Sequence, residues 1–302
     1  MARRVEQKAA ARERIAAQLA AQQQAERRRR LLLAVGAVVL VVVIVGGLVT
    51  IRLVGGGKKT ATNPSGSADA QIVNALSSIP DSAFATVGSA DVQAAPNAIK
   101  GTPLTADGKP KVLYIGAEFC PYCAAERWPV TVALSRFGKF TNLGTTHSSG
   151  SDVFPNTATL SFHGASYTSQ YLAFTGVETT TNQQVGGQYA PLDTPTAEDQ
   201  KTFDTYNKPP YVSSSGSIPF VDLGGKYVSS GATFTPEVLT GKTQAQIADA
   251  LKDPSNPISK AVLASANVFT AAICKLTNNQ PAGVCSTEAV TGAASKLGAE
   301  KG

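Results

Sequence analysis

The longest apolar segment of the chain lies near its N-terminus and contains no charged side chain. It runs for 21 residues, from Leu31 to Ile51. At about 1.5 Å per residue, a helix of this length crosses a hydrocarbon core of roughly 30 Å. A cleavable secretory signal is disfavoured because thirty residues precede the segment and no Ala-x-Ala-like site follows closely. A buried core helix is disfavoured because the segment is apolar on every side. We therefore predict a single transmembrane helix over residues 31–52.

The two flanks of this segment differ in charge. Residues 1–30 hold nine basic and three acidic side chains, whereas the rest of the chain holds 18 of each sign. Within 20 residues of the segment, six basic residues lie on the N-terminal side and three on the C-terminal side. The positive-inside bias therefore predicts a basic cytoplasmic helix or tail over residues 1–30 and an extracytoplasmic C-terminal part at the cell membrane. Because that part is neutral, its charge gives no support for nucleic-acid binding.

Beyond the apolar segment, helix-like and strand-like patterns alternate. Composition predicts a flexible linker over residues 53–68, one folded domain over 69–290 and a disordered tail over 291–302. The elements predicted in the domain are helices at 69–79, 124–140 with a kink at Pro129, 196–206, 243–251 and 256–274, strands at 111–117 and within 157–181, a hairpin at 218–229, and an insertion at 182–213. This order predicts an α/β sandwich with a mixed sheet.

Two of the four cysteines lie three positions apart, where the strand at 111–117 gives way to a helix. They are Cys120 and Cys123, in the stretch GAEFCPYCAAERW. The first turn of a helix has unpaired N–H groups and partial positive charge, which stabilise a thiolate at Cys120 and lower its pKa below the free value of about 8.5. Cys123 lies one turn further on and is more enclosed. We expect Cys120 to attack disulfides and Cys123 to resolve the mixed disulfide.

Three other interpretations of this cysteine pair remain open. It could form half of a zinc site, although the other two cysteines have a poor spacing for the second half. It could be a purely structural disulfide. It could also bind Cu(I) together with His147 or His163, since thiolates suit that ion. We favour redox chemistry, and we predict neither a metal nor another cofactor.

At these residues the chain resembles a known group of proteins. Ala117–Cys123 resembles the active-site stretch of thioredoxin-fold thiol–disulfide oxidoreductases, and Ile218–Pro219 resembles the segment with a cis-proline that faces that site. Residues 70–286 are similar to membrane-anchored thioredoxin-like proteins of actinobacteria that carry a domain of unknown function. The resemblance implies a thioredoxin-like domain with an insertion, preceded by a transmembrane helix. It also implies substrate contacts at Pro121, Tyr122, Ile218 and Pro219.

One position departs from the thioredoxin pattern. Thioredoxin has a buried acid six residues before the first cysteine, where this chain has Tyr114. The proton acceptor for Cys123 must then be another group, and Glu118 or Glu126 could serve through a water molecule. We favour the simpler interpretation that each of these glutamates is a solvated surface carboxylate.

The remaining cysteines, Cys274 and Cys285, follow the last apolar helix. Turn-forming residues between them allow the chain to fold back. Outside the cell we expect a structural disulfide, which would contribute roughly 3 kcal/mol by closing this short loop. The alternative is a relay pair that exchanges electrons with Cys120 and Cys123.

Together these features predict a membrane-tethered, extracytoplasmic thiol–disulfide oxidoreductase. Its substrates would be cysteine-containing envelope or secreted proteins. A membrane redox partner is implied, either a quinone-linked oxidase or an electron-importing transporter, depending on direction. The alternative function is a thioredoxin-like binding or assembly module of the envelope whose disulfides are structural, because a fold by itself does not define an activity.

Overall fold

The structure is a computed structural model, and it describes residues 65–301. These residues belong to one compact unit. The predicted cytoplasmic tail, the predicted transmembrane helix and the predicted linker up to residue 64 lie outside the described residues, so those assignments stay predictions.

The described residues form a mixed α/β structure. The helices are α1 (Ser65–Ser77), α2 (Asp81–Val87), α3 (Pro121–Ser135), α4 (Ala197–Tyr206), α5 (Gln244–Ala250), α6 (Pro257–Leu276), α7 (Ala282–Cys285) and α8 (Glu288–Ala293). The strands are β1 (Asn97–Ile99), β2 (Thr105–Ala106), β3 (Lys109–Gly116), β4 (Lys139–Thr141), β5 (Gly144–His147), β6 (Ala158–Ser161), β7 (Ser166–Thr168), β8 (Ala173–Glu178), β9 (Thr180–Val185), β10 (Gln188–Pro191), β11 (Phe220–Leu223), β12 (Tyr227–Ser230) and β13 (Gly298–Lys301).

A mixed sheet forms the centre of the fold. Its strands run in the order β13-β1-β12-β11-β3, and β3 also pairs with β8 and with the short β2. Strand β8 is parallel to β3, and β13 is parallel to β1. The other pairs in this sheet are antiparallel. The register of β3 and β8 places Gly116 opposite Glu178. The two strands therefore end together, just before the Cys120–Cys123 motif.

Both faces of the sheet are covered. Val112 and Tyr114 of β3 belong to the main core, which also contains the buried faces of α3 and α6. Leu113 and Ile115 point to the opposite face, as the two-residue period of a strand requires, and Phe203 of α4 packs there. The sheet thus lies between α3 and α6 on one side and α4 on the other, as predicted for an α/β sandwich.

Most predicted elements are present, with three corrections. The active-site helix α3 ends at Ser135, not at residue 140, because Phe140 pairs with Tyr167 in a separate two-stranded sheet. Helix α1 begins at Ser65, inside the predicted linker. The tail predicted to be disordered is ordered up to residue 301: Gly298–Lys301 forms β13 and pairs with β1.

One described helix, α6, is long and apolar enough to cross a membrane by length and composition. However, 83% of its apolar window is buried inside the domain. Its side chains pack in the main core with those of α3, and Asn267 donates hydrogen bonds to the carbonyl groups of Phe84 (3.0 Å) and Gly88 (2.8 Å). These contacts are those of a core helix.

Candidate functional site

The Cys120–Cys123 motif lies where β3 leads into α3, as the sequence predicts. Cys120 is the N-cap residue of α3, and its Sγ accepts a hydrogen bond from the N–H of Cys123 at 3.3 Å. Pro121 occupies the first turn, where its lack of an N–H costs nothing. Both cysteines are free thiols. Cys120 keeps 6% of its surface exposed and Cys123 none.

The two thiols differ in acidity. The pKa of Cys120 is lowered by hydrogen bonding from the Cys123 thiol and N–H and by the charge of Arg127, which together outweigh burial. The pKa of Cys123 is raised well above its ordinary value, first by burial and then by its interaction with Cys120. Since only the thiolate is a nucleophile, Cys120 is the thiol better suited to attack.

The segment at Ile218 and Pro219 faces Cys120. The Ile218–Pro219 peptide bond is cis. The Sγ of Cys120 lies 4.0 Å from the carbonyl oxygen of Ile218, within reach of a weak S–H···O bond. Pro219 is buried, and its carbonyl accepts a hydrogen bond from the N–H of Gly231 at 2.8 Å. Residues 98 positions apart are thereby brought together, as the sequence predicts.

The two glutamates considered as proton acceptors have different surroundings. Glu118 is half-buried and accepts a hydrogen bond from Ser161 at 2.6 Å. Glu126 is fully buried, so the expectation of a surface carboxylate is wrong for this residue. Its Oε2 accepts from the N–H (2.9 Å) and Oγ1 (2.8 Å) of Thr233, while its Oε1 has no partner. Burial raises the pKa of Glu126 to about 7.

Sequence reasoning missed a buried ion pair beside the cysteines. Arg127 donates from Nε to Glu178 Oε1 at 2.7 Å and from Nη2 to Glu178 Oε2 at 2.6 Å, and neither side chain is exposed. Nη2 also donates to the carbonyl of Ala117 at 2.8 Å. The same carbonyl accepts from the N–H of Cys120 at 3.3 Å. The signal in the sequence was weak: a charged residue seven positions after Cys120, whose partner is distant in the chain.

Aromatic residues surround the motif. Phe119 stacks on Tyr189 with ring centroids 4.2 Å apart, and Tyr122 meets Phe154 edge to face at 6.0 Å. Tyr122 is 42% exposed. Tyr189 belongs to the β9–β10 hairpin, which begins the region predicted as an insertion, and Phe154 belongs to the loop between β5 and β6. The β9–β10 hairpin therefore contacts Phe119, just before Cys120, and the loop between β5 and β6 contacts Tyr122, two residues after it.

The other predicted site residues lie elsewhere in the domain. Cys274 and Cys285 form a disulfide between the end of α6 and the end of α7, as predicted, and both are buried. His147 lies 3.4 Å from Gln244, and His163 lies 2.7 Å from Asp193. Across residues 65–301, no three His, Cys, Asp or Glu side chains cluster in a way that could hold a metal ion.

The fold and site define an α/β protein with a Cys-x-x-Cys pair at the start of a helix. A family model described as "Domain of unknown function (DUF929)" matches residues 96–190 and 183–275. The matches cover more than half of the chain, and the protein therefore belongs to this family. They include the cysteine pair, the Arg127–Glu178 pair and the Ile218–Pro219 segment. No curated protein and no solved structure matches the chain.

Proposed function

We propose that this protein is a thioredoxin-like thiol–disulfide oxidoreductase, tethered to the membrane by the predicted helix at residues 31–52. One observation carries the proposal: Cys120 caps α3 and receives the N–H of Cys123, while Cys123 is fully enclosed. A thiol stabilised as an anion and still in contact with solvent, next to a fully enclosed second thiol, is the arrangement that sequential disulfide exchange requires. The contact between Cys120 Sγ and the carbonyl of Ile218, next to Pro219, supports the thioredoxin-like assignment.

The reaction would proceed in two exchanges. The Cys120 thiolate attacks one sulfur of a substrate disulfide, and the other substrate sulfur leaves as a thiolate and takes up a proton. Cys123 then gives up its proton and attacks the Cys120 sulfur, which releases the second substrate thiol and leaves a Cys120–Cys123 disulfide. Two electrons pass to the substrate in this direction, and the reverse sequence oxidises a substrate dithiol. A membrane redox partner, an oxidase or an electron importer, would restore the starting state.

The surroundings of the thiols support protein substrates. Tyr122 and Phe154 present apolar surface beside Cys120, and Val153, next to Phe154, is 66% exposed. Val185, at the end of the hairpin strand that pairs with Tyr189's strand, is 68% exposed. Aromatic and aliphatic surface of this kind binds the side chains that flank a cysteine in an unfolded segment. Cysteine-containing envelope or secreted proteins are the substrates we infer.

Trapping of mixed disulfides tests this function. In a Cys123→Ser variant nothing within the protein can displace the bound substrate, so adducts on Cys120 should accumulate. The matched control is Cys120→Ser, in which the enclosed Cys123 should trap few partners or none. The measurement is non-reducing electrophoresis of the full-length variants from their native membranes, with adducts identified by mass spectrometry.

The alternative is a binding or assembly module that uses the same fold. In that case both serine variants should run as clean monomers, and the oxidoreductase proposal would be abandoned. Adducts that form only with Cys123→Ser would exclude the purely structural role for this cysteine pair.

A further inference from the structure

The buried Arg127–Glu178 pair leaves one hydrogen-bond donor of the arginine without a partner. Arg127 carries one guanidinium nitrogen, Nη1, that is buried and has no hydrogen-bond partner. A buried cation with an unused donor is costly, because nothing replaces the water that the group has lost. Glu178 occupies only Nε and Nη2. The ion pair therefore leaves part of the positive charge of Arg127 available to a neighbouring anion.

The neighbours of Arg127 identify that anion. Cys120, Cys123 and Arg127 are spaced by three and four positions, so they lie along one face of α3. The Ala117 carbonyl accepts from both the Cys120 N–H and Arg127 Nη2, so it holds the guanidinium against the backbone that leads into the motif. The charge of Arg127 helps to lower the pKa of Cys120, and it opposes the rise in the pKa of Cys123 that burial causes first and Cys120 second. The other titratable groups near the pair are Tyr114, whose ring centroid lies 6.0 Å from Arg127 Cζ, Glu118, and Asp193, whose Oδ2 accepts from the N–H of Glu178 at 3.1 Å and whose Oδ1 lies 2.7 Å from His163 Nδ1.

We propose that Arg127, held in place by Glu178, is a positioning residue that stabilises the negative charge on Cys123 while this thiol resolves the mixed disulfide. This inference rests on the proposed function. At residue 114, where thioredoxin has a buried acid, the chain has a tyrosine whose hydroxyl donates to the Cys123 carbonyl at 3.4 Å. A fixed cation beside Cys123 removes the need for a carboxylate there, because it lowers the cost of forming the thiolate instead of accepting its proton.

The step balances without a further reactant. Cys123 loses its proton to solvent, its thiolate attacks the Cys120 sulfur, and the sulfur–sulfur bond between Cys120 and the substrate breaks. The substrate sulfur leaves with the electron pair and takes up a proton. Arg127 remains protonated and bonded to Glu178 throughout, so its contribution is electrostatic.

The test uses 5,5′-dithiobis(2-nitrobenzoate) with the reduced, detergent-solubilised full-length protein. Attack by Cys120 releases one coloured thiolate, and resolution by Cys123 releases a second. The rate of the second release is measured against pH. Glu178→Gln leaves the arginine without its counter-charge, so the second release should become about three- to tenfold faster and its pH profile should move to lower pH. Arg127→Met combined with Glu178→Gln removes both charges, so the second release should slow by a similar factor and its profile should move to higher pH.

The two variants are expected to change the rate of the second release in opposite directions, which distinguishes an electrostatic role of Arg127 from a purely structural one. Both variants break the ion pair, so a merely structural role would slow both, and that result would overturn the inference. If Glu178→Gln does not fold because its arginine is buried unpaired, the neutral double variant decides: an unchanged profile overturns the inference, and a profile at higher pH supports it. If the wild-type protein never releases a second thiolate, the proposed function itself fails.

Discussion

Glu126 and Arg127 are adjacent charged residues on α3, and neither side chain reaches solvent. They point to different parts of the domain: Glu126 bonds to Thr233, and Arg127 bonds to Glu178. Arg127 is neutralised by a bidentate partner, whereas Glu126 has only hydrogen-bond donors. The folded protein therefore keeps a proton on Glu126 up to a higher pH than the unfolded chain does.

Stability should fall with rising pH because of Glu126. Its pKa is about 7 in the folded state, against an ordinary value of 4.5. The folded state binds more protons between these values, so the free energy of unfolding should decrease by about 3 kcal/mol from this group as the pH rises through that window. Glu126→Gln keeps an acceptor for Thr233 and should remove this part of the pH dependence. Urea unfolding of the full-length protein at pH 4.5 and pH 7.5 measures it.

The matched control for this experiment is Glu288→Gln, at an exposed position of α8. It should retain the pH dependence of the wild-type protein. If Glu126→Gln retains that dependence as well, burial does not raise the pKa of Glu126 in the folded state and this assignment is wrong.

At the residue scale, features that depend on neighbouring residues could be predicted from the sequence, whereas contacts between distant residues could not. The start of a helix is predicted by the local chemistry of Cys120, Pro121 and Cys123, and the structure has these residues at the start of α3. Nothing next to Arg127 in the sequence reveals that Glu178, 51 positions away, will meet it. A charged residue is ordinarily a surface residue, so burial of Glu126 and Arg127 contradicts the usual expectation. Only the pairing of β3 with β8 brings Glu178 to the motif.

At the scale of elements, the segments that were predicted have local sequence signals, and the segment that was missed depends on a distant partner. The hairpin of β11 and β12 has Gly224 and Gly225 at positive φ in its turn. Helix α5 begins with a capping box formed by Thr243 and Gln246. Both elements are therefore predicted by residues within their own sequence. Strand β13 has no such signal. Its sequence is polar, and its order comes from pairing with β1, about 200 positions earlier.

The β9–β10 hairpin should contribute to recognition of large substrates. Tyr189→Ala removes the ring that stacks on Phe119, a contact worth about 0.5–1.5 kcal/mol, and frees Phe119 beside Cys120. We expect the rate with a disulfide-containing unfolded protein to fall about three- to tenfold, in line with that energy, while the rate with 5,5′-dithiobis(2-nitrobenzoate) changes little. The ratio of the two rates is the measurement.

Tyr171→Ala is the matched control for this hairpin. Tyr171 lies just before β8, at the end of that strand away from Gly116 and the motif. It should leave the ratio unchanged. Equal effects of the two tyrosine variants, or equal loss with both substrates, would mean that the hairpin has no part in substrate selection.

At the scale of the whole molecule, the Cys274–Cys285 disulfide fastens the C-terminal segment that leads into α8 and β13. Replacing both cysteines by alanine reopens a loop of about twelve residues, and the free energy of unfolding should fall by about 3 kcal/mol. Urea unfolding of the full-length double variant measures this loss. Release of thiolate by Cys120 and Cys123 should be unchanged. If Cys120 and Cys123 of the double variant no longer return to the wild-type redox state in native membranes while the stability holds, the two cysteines form a relay.

The burial of α6 also affects the number of membrane-spanning helices that are predicted for the chain. A hydropathy profile alone registers two candidate crossings, residues 31–51 and α6. Two crossings would be an even number, and the residues on either side of the pair would share a compartment. Because α6 is enclosed by the domain, it is not a crossing, and of these two candidates only the helix predicted at residues 31–52 remains. If the helix predicted at residues 31–52 crosses the membrane, everything from α1 to β13, including both cysteine pairs, is expected in the compartment opposite the basic N-terminal residues.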